Sequence, residues 1–436
     1  MSGDQNRENV RKNIIEFFKQ KHDEFIPGKT RIRYAGAVYD EKEILSMVDT
    51  LLEGWFGLGK RGAEFERGLS SLIGVKNAVL ANSGSSANLI AISTLLDKSV
   101  KSHLNPGDEV ITPAVTFPTT FNPLLQNGLI PVVLDVDPQT YNLNASDVAK
   151  AVTEKTKAIM LPHTLGNPNE MDAIMEIVEK HNLFIIEDAC DALGSKYAGR
   201  MMGSFGNIAT FSFYPAHHLT MGEGGAAVTN DDVLAKVMTS IRDWGRACWC
   251  RTDQNLPEGA CNNRFNFKIN DIPYDHRYIY SRIGYNLKPT EIQAAMGVEQ
   301  LKKFPQFVEA RKKNFKFLYD SLYELEDIFI FPKSLPKSDP CWFAFPLTIK
   351  DRSRLDRNRF VKALESKNIE TRLMFAGNII RQPAYADSKY KVFGKLDNAD
   401  HIMCNTFFLG VFPGMTEGKL NYMVETFKTC IREARK

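Results

Sequence analysis

Several side chains stand where they could do chemistry. The run Asn82-Ser-Gly-Ser-Ser-Ala-Asn opens a predicted helix. Gly84 lets the backbone come close to a ligand, Ser85 and Ser86 offer hydroxyls and N–H groups, and a helix N-terminus favours a phosphate. The same residues would also serve as a plain helix cap. Asp188 closes the apolar run LFIIED. A carboxylate at the mouth of a parallel sheet either caps or serves a ligand, and a pyridinium nitrogen is one cation that needs it. Phe117, in TPAVTFPTT, could stack on a ring or belong to the core. Four of the seven cysteines, Cys190, Cys248, Cys250 and Cys261, fall in the middle of the chain, three of them within fourteen residues. The other three, Cys341, Cys404 and Cys430, lie singly in the last hundred.

The elements that must position these groups follow from the apolar pattern. From Val75 onward short apolar runs alternate with helical patterns: AVLAN at 78, EVITP at 109, IPVVLDV at 130, KAIMLP at 157 and LFIIED at 183. The intervening helices are predicted over 85–97, 119–126, 145–153 and 170–181. This alternation predicts an α/β fold, a mainly parallel sheet with helices on both faces. Ligands of such sheets bind beyond the carboxyl ends of the strands, where Ser83, Thr116 and Asp188 all fall. Further strands are predicted at ATFSF (209) and GAAVTN (225), and a cysteine-bearing, Asn- and Gly-rich loop over 247–275. Val10, Ile14, Phe17 and Phe18 predict an amphipathic helix over 7–25, and Asp40 caps a second over 40–53. A long helix from Pro289 to about 323 is the expected hinge to a smaller α+β domain. That domain has strands at IFIFP and FAFPLTI and helices over 355–366 and 416–434. The expected organisation is an N-terminal helical segment (1–55), a large α/β domain (56–300) and a small C-terminal α+β domain (301–436).

Composition narrows the classes. The 436 residues are 43% hydrophobic and 25% charged, which excludes disordered and low-complexity readings. Fifty-five basic against 52 acidic side chains leave a net charge of +3 with no basic stripe, so nucleic acid is not the expected partner. No run approaches a membrane span and the N-terminal stretch has no apolar h-region, so a cytoplasmic location is expected. Asn144-Ala-Ser is then a chance glycosylation match. Seven cysteines in a chain this long are too few for a disulfide scaffold.

Taken together, the motifs resemble a known family. The run EDACDALGSKYAGRMMGSFGNIATFSFYPAHHLTMGEGGAAVTN (187–230) is similar to the sugar aminotransferases that act on nucleotide-linked ketosugars and adopt the fold-type I pyridoxal-phosphate architecture. NSGSSAN, TPAVTFPTT, GYNLKPTEIQAAMG (284–297) and ETRLMFAGNIIRQPAY (370–385) match in the same order. The resemblance implies that Asp188 pairs with the pyridine nitrogen and Phe117 stacks on the ring. It implies that Ser85, Ser86 and Ser212 hold the phosphate, while His163 and Asp191 lie beside the cofactor. Asn286 corresponds to a residue contributed to the partner subunit's phosphate site, which implies a homodimer. Arg372, Asn378 and Arg381 fall in the segment near the nucleotide diphosphate. His218 and His276 receive no role.

One departure changes the expected chemistry. The family's Schiff-base lysine position is taken by His217, and no lysine occurs between Lys196 and Lys236. The cofactor is then held non-covalently as pyridoxamine phosphate, and the imidazole serves as the base. The resemblance narrows to 3-dehydratases of 4-keto-6-deoxy nucleotide sugars, in which the C3 hydroxyl is expelled. One kind, acting on CDP-4-keto-6-deoxyglucose, carries a [2Fe–2S] cluster fed by a flavin reductase and serves 3,6-dideoxyhexose and O-antigen synthesis. The 57 residues between Cys190 and Cys248 and the C-x-C at 248–250 match it, with a longer final gap of ten residues before Cys261. Four thiolates also suit structural zinc. The other kind acts on GDP-4-keto-6-deoxymannose with glutamate and no metal. A non-catalytic paralogue that has lost its lysine is the remaining alternative.

Overall fold

The computed structural model describes residues 3–20, 24–248, 264–351 and 355–434. Its centre is a sheet built from the predicted apolar runs: β1 (Asn77–Ala81), β2 (Glu109–Pro113), β3 (Ile130–Leu134), β4 (Thr156–Pro162) and β5 (Phe184–Asp188), with Ile208–Ser212 and Gly225–Thr229. The order is β1, 225–229, 208–212, β5, β4, β2, β3, and finally Lys391–Phe393 at the far edge. From 208–212 to 391–393 all neighbours are parallel, and 225–229 alone is reversed in this sheet, antiparallel to both 208–212 and β1.

Alternation along β4 shows why the sheet is covered twice. Ala158 and Met160 face one apolar cluster, Ile159 and Leu161 the other. One face is packed by α3 (Lys60–Ile73), α6 (Ala145–Ala151), α7 (Met171–His181) and α9 (Glu291–Leu322), through Phe65, Leu69, Val148, Ile174 and Val298. The opposite face is packed by α4 (Gly84–Leu95), α5 (Pro118–Gln126) and α8 (Asp232–Arg242). A strand with apolar residues on both sides needs helices on both sides to remove them from water.

The C-terminal part carries a four-stranded antiparallel sheet ordered 329–330, 344–349, 406–410, 372–373. Around it pack Arg357–Ser366, Asp397–Asn405 and Glu417–Ala434. Two connections cross the expected domain boundaries. Lys391–Phe393 joins the large sheet beside β3. In return Ile32 and Ala35, from the N-terminal segment, enter the C-terminal core, with Ile32 bridging to Ile369.

Three expectations are corrected. The first helix, α1, is described over Gly3–Gln20 rather than 7–25: Glu24 and Phe25 are non-helical, and a turn closing on Ile26 follows. The IFIFP strand is only Phe329–Ile330. The predicted loop 247–275 ends in a hairpin, Phe267–Ile269 with Ile272–Tyr274. Asn270 and Asp271, both at positive φ, make its two-residue turn. The helix α2 (Glu41–Glu53) forms as predicted, with the Asp40–Glu43 capping box.

Candidate active site

A cavity of about 1030 Å³ opens at the carboxyl ends of the parallel strands, between the large sheet and the C-terminal part. Asp188 reaches it from the end of β5 and is 6% exposed. Its Oδ2 accepts from Asn88 Nδ2 at 2.9 Å and Thr120 Oγ1 at 2.7 Å, and its Oδ1 accepts from the Cys190 N–H at 3.2 Å. Thr210 Oγ1 in turn donates to Asn88 Oδ1 at 2.5 Å. The carboxylate is therefore braced from α4, α5 and the neighbouring strand before any ligand arrives.

The anion cradle lies beside it. Ser83 caps α4, its Oγ accepting from the Ser86 N–H at 3.1 Å. Ser83, Gly84, Ser85 and Ser212 line the cavity. A Cβ on Gly84 would lie 2.5 Å from Ser212 Cβ and 3.1 Å from Cys190 Sγ. One on Gly225 would lie 2.2 Å from Ser83 O. Only glycine lets these backbones meet. Ser86 is not in the lining; its hydroxyl accepts from Ser83 Oγ at 3.0 Å.

His163 is fully buried at the cavity floor. Its Nε2 meets Glu187 Oε2 at 3.1 Å, while Nδ1 accepts from the Asn169 N–H at 3.3 Å. Nδ1 as acceptor places the proton on Nε2. Burial pushes the Glu187 carboxyl up, but His163 and the amides of Gly206 and Gly203 outweigh it, so the net shift is downward.

The adjacent histidines part company. His217 lines the cavity, with Nδ1 3.4 Å from Asp191 Oδ1 and its ring 5.3 Å from that of Phe343. His218 is buried, and its Nε2 donates to Cys341 O at 2.8 Å. Burial first, then Arg311, hold His218 well below the usual histidine range, so it stays neutral. The 215–218 turn is itself held by Arg311 of α9, which donates to His217 O at 2.9 Å.

Across the cavity Phe117 is 51% exposed, with Phe375 edge-on at 5.9 Å. Arg372 lines this side, its guanidinium 4.2 Å over the Tyr34 ring. Its Nη2 donates to Glu370 at 3.0 Å and its Nη1 to Thr371 O at 2.7 Å. Asn378 and Arg381 stand outside the lining. Asp400 accepts from Asn378 Nδ2 at 2.7 Å and from Arg381 Nε and Nη2 at 3.0 and 2.7 Å. Asn286 is also outside it, its Oδ1 accepting from Lys288 Nζ at 2.9 Å. His276 is buried and stacked on Phe267.

Of the four cysteines, Cys190 is in the cavity wall and Cys248 is half-buried outside it. Cys250 and Cys261 lie outside the described residues. Burial, with Asp188 and Asp191 close by, pushes the Cys190 thiol well above its ordinary value. Among the described residues no three His, Cys, Asp or Glu side chains gather to hold a metal ion.

Sequence reasoning overlooked Asn88, Glu187 and Arg311, which touch the site residues rather than the cavity, and Thr120, which touches both. A polar residue in an apolar helical run, such as Asn88 in ANLIAI, was the available signal.

Residues 38–428 match the DegT/DnrJ/EryC1/StrS aminotransferase family. The chain is 47% identical over 429 residues to the lipopolysaccharide biosynthesis protein RfbH of Salmonella typhimurium, covering 96% of this chain and 98% of that one. It is 46% identical over 411 residues to dTDP-4-dehydro-2,6-dideoxy-D-glucose 3-dehydratase of Saccharopolyspora spinosa, covering 94% and 88%. A crystal structure of GDP-4-keto-6-deoxymannose-3-dehydratase with a trapped PLP-glutamate geminal diamine superposes with a TM-score of 0.81. The identity there is 30%, and the match covers 91% of this chain and 100% of that one.

Proposed function

This chain belongs to the DegT/DnrJ/EryC1/StrS aminotransferase family, and from that premise we propose that it is a pyridoxamine-phosphate-dependent 3-dehydratase of a 4-keto-6-deoxy nucleotide sugar. One observation carries the reading. The cavity wall presents His217, the residue that the sequence resemblance aligns with the family lysine, beside Asp191, and among the described residues no lysine lines the cavity.

The chain's own groups fit the cofactor. The braced Asp188 is an anion for a pyridine nitrogen, and the glycine-tight cradle at Ser83, Ser85 and Ser212 suits a phosphate. When bound, pyridoxamine phosphate supplies a primary amine for the C4 ketone and a ring that accepts an electron pair. Phe117 covers one face of the cavity, and His163 forms part of its floor. His217 turns Nδ1 toward Asp191, which leaves Nε2 to serve as the base beside the bound cofactor and sugar. The proton it takes up would leave with the C3 hydroxyl as water. Arg372 meets the diphosphate, whereas Asn378 and Arg381 support the wall through Asp400. In a homodimer Asn286 reaches the phosphate of the second copy.

In the finer reading the substrate is CDP-4-keto-6-deoxy-D-glucose, and Cys190, Cys248, Cys250 and Cys261 hold a [2Fe–2S] cluster. The cluster supplies one-electron transfer, with an NAD(P)H-dependent flavin reductase as the electron source. The placement of the Cys190 thiol in the cavity wall, two residues beyond Asp188, supports this. The likeness to a protein named for lipopolysaccharide biosynthesis supports a role in that process, and the proposed product is a 3,6-dideoxyhexose precursor made in the cytoplasm.

The test combines composition with turnover. Anaerobically purified protein should be brown with about two iron and two sulfide per chain, and should dehydrate the CDP-sugar when given pyridoxamine phosphate. Zinc or no metal removes the cluster. Turnover of the GDP-sugar with glutamate alone selects the metal-free dehydratase. No dehydration of CDP-, dTDP- or GDP-ketosugars leaves a non-catalytic paralogue.

A further inference from the structure

Arg311 is a guanidinium in an unusual place. It projects from the middle of α9 and is 1% exposed. Among the described residues no carboxylate lies within ion-pair distance of it. Its partners are main-chain carbonyls: Phe343 O at 3.0 Å from Nη1, and His217 O at 2.9 Å and Ala216 O at 3.4 Å from Nη2. Nε is buried with no partner. Burial pulls its pKa down to about 10, so it remains charged at neutral pH. A buried cation without a counter-ion costs stability that a well-packed apolar side chain of the same size would not. Volume filling does not account for it.

What the fork joins accounts for it. One nitrogen holds the turn that carries His217, and the other holds the start of strand Ala344–Ile349, which leads into the C-terminal sheet. Phe343 also lines the cavity and packs its ring 5.3 Å from that of His217. The side chain that bridges them rises from the helix that packs against both parts of the molecule. Lysine, with one point-like head, cannot reproduce a planar fork to two carbonyls.

We propose that Arg311 is a positioning residue: a three-way clamp that fixes the main chain of His217 relative to the C-terminal wall, so that base and substrate keep one geometry. This rests on His217 being the base and goes beyond it, since Arg311 touches neither cavity nor ligand. A displacement of about 1 Å between reacting groups can cost on the order of 10²-fold in rate.

The experiment compares Arg311→Lys and Arg311→Met with the parent, all loaded with pyridoxamine phosphate. Two readouts are taken: steady-state turnover of the ketosugar, and amide hydrogen exchange in peptides spanning 213–221, measured also without cofactor. The expected result is a kcat about 100-fold lower for Arg311→Met and about 10-fold lower for Arg311→Lys. KM and cofactor affinity should stay within about threefold, and faster exchange should be confined to 213–221. Parental kcat in folded variants overturns the clamp. So does a loss of kcat accompanied by loss of cofactor affinity and faster exchange throughout the chain, which marks a general packing role. If Arg311→Met does not fold, the kcat and exchange of Arg311→Lys decide. If the parent itself turns over no ketosugar, the dehydratase reading fails, while the exchange pattern still tests the clamp.

Discussion

The two walls of the cavity are built on opposite plans. On the sheet side the polar groups are braced by their neighbours at the cavity wall: Asp188 by Asn88 and Thr120, His163 by Glu187 and Asn169. On the C-terminal side the polar groups largely satisfy one another, Arg372 with Glu370 and Asn378 and Arg381 with Asp400. The surfaces facing the cavity there are mostly aromatic, with Phe343, Phe375 and Phe408. Fixed charges aimed at a reacting centre lower a barrier, whereas an apolar wall with one guanidinium supplies shape and affinity. The first wall should therefore govern kcat and the second KM.

The sharpest break in that comparison is His217→Asn, which should lower kcat by about 10³-fold with sugar binding intact, as read by rapid-mix mass spectrometry. His217→Lys should in addition attach pyridoxal phosphate covalently, visible as a borohydride-stable mass increase. If either variant dehydrates at the parental rate, His217 is not the base. Next comes Asp188→Asn, expected to cost about 10²-fold in kcat and to weaken cofactor retention on gel filtration. Arg372→Ala tests the other wall: KM should rise about tenfold, as for loss of a charged hydrogen bond, with kcat little changed. A fall in kcat alone would show that the walls are not divided in this way. Arg381→Ala, one step behind that wall, should change either constant by less than about twofold, as exposed ion pairs are worth little.

Stability offers a further check on the sheet side. The Glu187 carboxyl lies below its usual value in the folded chain, so the unfolded chain takes up that proton first as pH falls. Its contribution is present above the ordinary carboxylate pKa of about 4.3 and is lost progressively on acidification below it. Glu187→Gln should flatten the acid limb of a plot of melting temperature against pH. An unchanged limb would assign it to other carboxylates.

Legibility in the sequence followed the range of the forces involved. β4 and β5 were readable because each contains an unbroken apolar run, Ala158–Leu161 and Phe184–Ile186, leading to the mouth, and α2 because Asp40 and Glu43 cap it locally. The helices α3 and α8 were overlooked, although Asp231 caps α8 through the N–H groups of Val233 and Leu234. The strand Lys391–Phe393 was unreadable: three residues, two of them exposed, become a strand only because β3 offers an unpaired edge. The hairpin at 267–274 had a signal, Asn-Asp between apolar residues, hidden by the polar composition around it.

For the site, the chain order of motifs singled out Asp188, Phe117, His163 and His217, all of which line the cavity, because strand ends and the turns after them meet by topology at one edge of a parallel sheet. It could not separate Ser83 from Ser86, nor Arg372 from Arg381. Those pairs are alike in type and close in sequence, and what divides them is which neighbour each one meets. The α4 cap claims Ser86, and Asp400 claims Arg381. Residue chemistry and order thus settled what kinds of group the cavity needs. Long-range packing, through Arg311, Glu187 and Asp400, decided which individual side chains remain free to act, because a polar group already satisfied inside the fold gains little by turning to a ligand.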